Sequence, residues 1–315
     1  MDELFAVCEQ DIQDIQKSVI ESTAATAYNE VIFESAIEYM LEEETASAEK
    51  QGEPNEDPKG EFKNSNVKNA LFKAFETLKR MAVNLLNKIK QAVNTFIAKA
   101  NAGNIDKMID KIYKDGGKDY VISITKDLKI NGNASYRFGF GGVKENGKVE
   151  ALRKPEEEIV KSIVADIKKE SGSWDTAGID DIKDFKALGS FVRDFVSKAN
   201  DVKSEVKLTE YFGNGGFKAK VADVKAVYND TVKTVNDFIK NMHAEIKKVS
   251  TQEDFDAARA AIKNGNKYLA FINSAYSGYL KWAAAYVKQG VKAAKTAKKS
   301  VNASYLEDFY GLSLL

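Results

Sequence analysis

Hydrophobic residues recur along most of this chain at steps of three and four, the spacing that places them on one side of an α-helix. The longest run is Val67, Leu71, Ala74, Leu78, Ala82, Leu85, Ile89, Val93 and Phe96. It predicts a single helix of about 35 residues with one buried seam. AlaGlyAsn at 102–104 ends that helix, and Ile105, Met108, Ile109 and Ile112 begin a shorter one. The period then changes. TyrValIleSerIle at 120–124 is β-branched, SerTyrArgPheGlyPhe at 135–140 alternates aromatic and small residues, and LysGluAsnGlyLys at 144–148 has turn chemistry. Together they predict a small antiparallel β-hairpin insert at about 120–152. Pro155 followed by three glutamates marks a helix start, because proline and acids both suit a first turn. That helix runs to about residue 170. Residues 179–200 form another, with Phe185, Leu188, Val192 and Phe195 on one face, and TyrPheGlyAsnGlyGly at 211–216 interrupts. Long helical patterns then occupy about 217–249, 252–264 and 266–299. The fold class is mainly α, a bundle of long amphipathic helices carrying the hairpin.

The N-terminal segment repeats the helical pattern in Leu4, Val7, Ile12, Ile15, Val19, Ile20, Val31, Ile32, Ile37, Met40 and Leu41. After Glu44 it stops. Residues 45–61 hold two of the three prolines and no large apolar residue, too little to offset the entropy of ordering them. Three parts follow: an acidic helical leader at 1–44, an exposed linker at 45–61, and a body at 62–315 with its β insert at about 118–152.

Charge sharpens that division. The whole chain has 47 Lys+Arg and 47 Asp+Glu, a formal net charge of zero. Residues 1–49 nevertheless contain thirteen acids against Lys17 alone, a net of −12, and residues 50–315 carry the compensating +12. An asymmetry of this size points to a segment that masks or recruits. The densest basic stretch is near the C-terminus, where Lys288, Lys292, Lys295 and Lys299 recur at steps of four, three and four, with Lys298 beside them. No acid stands between Asp256 and Glu307. A solvated helix face is the plain reading; contact with nucleic acid or another polyanion is the functional one. Lysine–phosphate contact carries no base information, so such binding would be nonspecific DNA association.

Catalytic chemistry finds little to stand on. One cysteine, Cys8, and one histidine, His243, exclude a disulfide framework and most metal or triad chemistry. Acidic neighbours should raise the pKa of Cys8 rather than activate it. PheGlyPheGlyGly at 138–142 lacks both the third glycine of a dinucleotide loop and the GK[ST] of a Walker loop. Acid pairs such as Asp180 and Asp181 suit helix N-termini. The expectation is a non-enzymatic protein with no cofactor. No apolar run reaches the roughly 18–20 residues of a membrane span. The opening MDELFAVCEQD is acidic where a secretory signal would be basic. Both point to a protein made and assembled inside a cell, with no membrane partner.

Ser47-Ala48-Glu49 stands where the charge changes sign and the helical pattern ends. Related tripeptides occur at Ile32-Phe33-Glu34, Ala36-Ile37-Glu38 and Leu41-Glu42-Glu43, and Ala74-Phe75-Glu76 repeats the motif within the body. An acidic leader, a linker with such a triplet and a basic helical body resemble the precursors of internal head and prohead-core proteins of large tailed bacteriophages. The resemblance covers the first 50 residues and the general layout. It implies a maturation protease that cuts after Glu49, other virion or prohead proteins as partners, assembly in the host cytoplasm and a final place in the head interior. It further implies a DNA-associated body once the leader is gone. Two other readings fit the same layout: a scaffolding protein acting through helix–helix contacts, or an ejected, host-directed or pore-forming effector.

Overall fold

The computed structural model describes residues 3, 4, 6–18, 21, 65–101, 103–125, 149–171, 177–195, 203–212 and 216–310. Within them the chain is mainly α with one two-stranded antiparallel sheet, as its periodicity predicts. Residues 6–18 form a leader helix. The body adds α1 (Ser65–Asn101), α2 (Asn104–Lys114), α3 (Val149–Leu152), α4 (Glu156–Ser171), α5 (Phe185–Phe195), α6 (Leu208–Phe212), α7 (Gly216–Lys248) and α8 (Gln252–Tyr310). The strands are β1 (Val121–Thr125) and β2 (Lys203–Lys207).

Helix α8 is the axis. Its 59 residues would span about 90 Å at 1.5 Å per residue. It touches α1, α2, α3, α5, α6, α7 and β1. Between Phe271 and Leu280 almost every side chain is buried, including Tyr276, Tyr279 and Asn273, so this stretch has neighbours on all sides. Its start is set by reciprocal hydrogen bonds. The Asp254 N–H donates to Thr251 Oγ1 at 3.1 Å, and Asp254 Oδ2 accepts from the N–H groups of Ser250 at 3.0 Å and Thr251 at 3.1 Å. These bonds, led by that from Ser250, hold the Asp254 carboxyl below the usual carboxylate range.

The sequence pattern divides α8 at Asn264-Gly265-Asn266, but the helix runs through. Close packing explains the glycine: a Cβ at Gly265 would meet Phe238 Cζ of α7 at 2.8 Å. Asn264 Nδ2 donates to the carbonyls of Leu152 at 2.8 Å and Lys154 at 2.9 Å, tying the α3–α4 corner to α8. A motif that ordinarily signals a turn is here an inter-helix contact.

Small residues also bring α5 onto α8. A Cβ at Gly189 would lie 3.0 Å from Ser274 Oγ, and one at Gly278 would lie 3.1 Å from Arg193 Cα. Helix α5 starts at Phe185 because Asp184 Oδ1 accepts from the Ala187 N–H at 2.7 Å, so residues 182–184 precede the helix. Glu156 in the first turn of α4 accepts the Phe185 N–H at 2.9 Å and the Lys267 ammonium at 2.7 Å. It thereby joins α4, α5 and α8.

The first strand lies where the sequence places it. Its partner in the sheet is β2, from about eighty residues further along, with Ile122 opposite Val206 and Val121 opposite Lys207. Ile122 and Val206 face the core. The expected local partner at 135–140 lies outside the described residues.

Helix packing through glycine leaves little room for added volume. Gly278→Val should cost about 1–3 kcal/mol, because the atom it meets is backbone. Val83→Ser, at a side chain 52% exposed, should change stability by less than about 0.5 kcal/mol. Urea unfolding followed by circular dichroism would check both.

Candidate polyanion face and the leader helix against it

The lysine face lies on the C-terminal half of α8. At about 100° per residue, Lys288, Lys292, Lys295 and Lys299 fall within an arc of about 60°, and Lys298 lies roughly a sixth of a turn outside it. Lys288 and Lys292 are exposed, and Lys295 is half-buried. Lys298 and Lys299 belong to the same helix, but their side chains lie outside the described residues, as does the whole triplet Ser47, Ala48 and Glu49. The structure thus brings three of the candidate lysines onto one described surface.

The leader helix meets this region. Lys295 Nζ donates to Glu9 Oε1 at 2.8 Å. Two residues further on, Asp11 accepts from Lys99 Nζ at 3.0 Å and from Asn104 Nδ2 at 3.2 Å. Lys99 also reaches Asp14 Oδ2 at 2.6 Å, and Ser18 Oγ donates to Thr95 Oγ1 at 3.3 Å. Rising numbers on α1 (Thr95, Lys99) therefore meet falling numbers on the leader (Ser18, Asp14, Asp11). The two helices run antiparallel, and the leader bridges the end of α1, the start of α2 and the lysine face of α8.

Cys8, Ile12 and Ile15 form the buried stripe of the leader, with Leu4 packed at its edge. Val7, which the sequence pattern includes in that stripe, is exposed. Cys8 takes its place one residue later. Burial, then the charges of Asp11 and Glu9, push the Cys8 thiol up to about 11, so it is a neutral packing group. These residues belong to the same buried cluster as Phe75, Phe96 and Met108 of the body. Part of the segment read as separable therefore shares the body's core.

Magnitudes separate grip from charge. Burying each isoleucine contributes about 1.5–3 kcal/mol, as an upper estimate. The Glu9–Lys295 pair is about half exposed on both sides, and such a pair contributes about 0–1 kcal/mol. The apolar stripe holds the leader; the carboxylates decide which lysines it neutralises. Sequence reasoning missed Lys99 and Asn104, each of which is unexceptional along the chain.

Elsewhere, the His243 ring stacks on Phe75 with centroids 5.2 Å apart and planes 8° from parallel. Among the described residues, no group of three or more His, Cys, Asp or Glu side chains could hold a metal ion. No helix among them is long and apolar enough to cross a membrane.

The Asp14 carboxyl is held below the usual carboxylate range, first by the hydrogen bond from Lys99 and then by that from Gln10. A depressed carboxylate stabilises the docked state above its unfolded pKa of about 4 and loses that contribution as pH falls through the lower, folded value. The leader should therefore loosen below about pH 4, and Asp14→Asn should flatten the change. Labelling of Cys8 with a pyridyl disulfide reagent that reacts in acid would follow it, slow while docked and faster once released.

Searches against protein-family models, curated proteins and solved structures find no match to this chain.

Proposed function

We propose that this chain is a non-enzymatic virion protein of a large tailed bacteriophage, an internal head or prohead-core protein with an acidic leader that is cut away. While attached, the leader neutralises part of a basic body and favours co-assembly with other prohead proteins. After cleavage at Ser47-Ala48-Glu49 and loss of the leader, the remaining residues 50–315 carry +12. The body then associates with packaged DNA through Lys288, Lys292, Lys295, Lys298 and Lys299, without base readout.

The observation that carries this reading is the Glu9–Lys295 ion pair at 2.8 Å. It joins the segment with the largest negative excess to the face with the longest run free of acids. Lys99, another body cation, is taken by Asp11 and Asp14 of the same helix. The scaffolding alternative needs the leader's apolar stripe for a partner, whereas its described buried members Cys8, Ile12 and Ile15 already pack against the chain's own body.

Two measurements test the proposal. Mass spectrometry of mature heads should find peptides beginning at Lys50 and none from the leader; full-length chain in mature heads would count against processing. In solution, protein freed of its leader should bind random-sequence duplex DNA about tenfold or more tightly than the full chain at low salt. Its affinity should fall with a log–log salt slope near −4 if about four phosphates are neutralised. Lys288→Gln, Lys292→Gln, Lys295→Gln and Lys299→Gln together should flatten that slope.

A further inference from the structure

Among the described residues, the leader's contacts lie within residues 4–18, whereas the candidate cut lies at 47–49. Cutting the linker therefore breaks none of these described contacts of the leader helix. It does remove the covalent connection. A tethered segment experiences an effective concentration of about millimolar, and a severed one only its concentration in solution.

We infer that the surface formed by the end of α1, the start of α2 and the lysine face of α8 is a seat for an acidic amphipathic helix. Its occupant is the chain's own leader, which stays bound after the linker is cut until a polyanion displaces it. This deepens the function proposed above and rests on it for the identity of the polyanion, though the seat itself follows from the contacts. Cys8, Ile12 and Ile15 fill the apolar part, Asp11 fixes the register on Lys99 and Asn104, and Glu9 covers Lys295.

Displacement follows from linkage. A leader that occupies Lys295 weakens DNA binding by some factor, and DNA must weaken leader binding by the same factor. Salt acts differently from DNA. It screens the exposed Glu9–Lys295 pair but leaves the buried isoleucines in place. The severed leader should therefore survive moderate salt better than it survives added duplex.

The test uses the full chain with a site for a sequence-specific protease inserted between Lys59 and Gly60. After complete cutting at low salt, the leader fragment should co-elute with the body in size-exclusion chromatography, at the mass of one chain. Random-sequence duplex DNA should then release it. Asp11→Asn with Asp14→Asn should raise the dissociation constant about tenfold or more. Ile12→Ala, which adds no charge, should also raise it about tenfold or more.

Separation of the fragment immediately on cutting at low salt would overturn the inference. So would co-elution only at twice the mass of one chain, with the leader bridging two copies. DNA binding by the cut protein is read in the same samples. A retained leader with no DNA binding after its forced removal would defeat the proposed function and the displacement step while leaving the seat standing. A leader lost on cutting, with strong DNA binding afterwards, would defeat the seat and spare the function.

Discussion

A buried carboxylate needs company, and Asp11 is only 6% exposed. It sits there because Lys99 and Asn104 satisfy one oxygen each. That arrangement fixes more than a local contact. Lys99 is in the last turn of α1 and Asn104 opens α2, so one side chain locates the leader on the junction between two helices. Sliding the leader by one turn would place Val7 or Cys8 opposite the Lys99 ammonium in one direction and Asp14 or Ile15 in the other, and either shift takes Asp11 from its place against Lys99 and Asn104. The isoleucines supply most of the adhesion, but they would tolerate several registers; the carboxylate selects one. In that register Glu9 reaches Lys295.

The position of Lys295 depends in turn on α8 being continuous. A helix broken near Gly265 would allow its two halves to point in different directions. Instead, the contact of Gly265 with Phe238 and the bonds of Asn264 to the α3–α4 corner carry the axis through. Tyr211 and Tyr286 then clasp α6 to α8. Each hydroxyl donates to the other residue's backbone carbonyl, and the rings stack 4.6 Å apart. This clasp lies just before Lys288, so the lysine face is carried on a part of the helix that is anchored on the body.

Periodicity made α1, α2 and α4 legible, because each buries one face and begins or ends with its expected residue chemistry. It failed where a local signal served a distant partner. Asn264-Gly265-Asn266 carries the composition of a turn, yet its small size and amides are used by α7 and the α3–α4 corner. Strand β2 is five residues alternating charge with Ser and Val, too short and polar to stand out, and pairing with β1 gives it order. Helix α5 starts at Phe185 rather than at the expected residue 179 because Asp184 caps it. The lysine face was readable from spacing alone. Its cover was not: Glu9, Asp11, Lys99, Asn104 and Lys295 are scattered over nearly the whole chain, and only folding brings them together.

The central claim, that an acidic helix is seated on the basic body, is tested most directly by amide hydrogen exchange of residues 6–18 in the intact chain. Seating on a shared core predicts protection well above that of an unfolded segment at neutral pH, with collapse of that protection in Ile12→Ala while the amides of α8 stay protected. Exchange of residues 6–18 at unfolded-chain rates in the intact, otherwise protected protein would contradict the account.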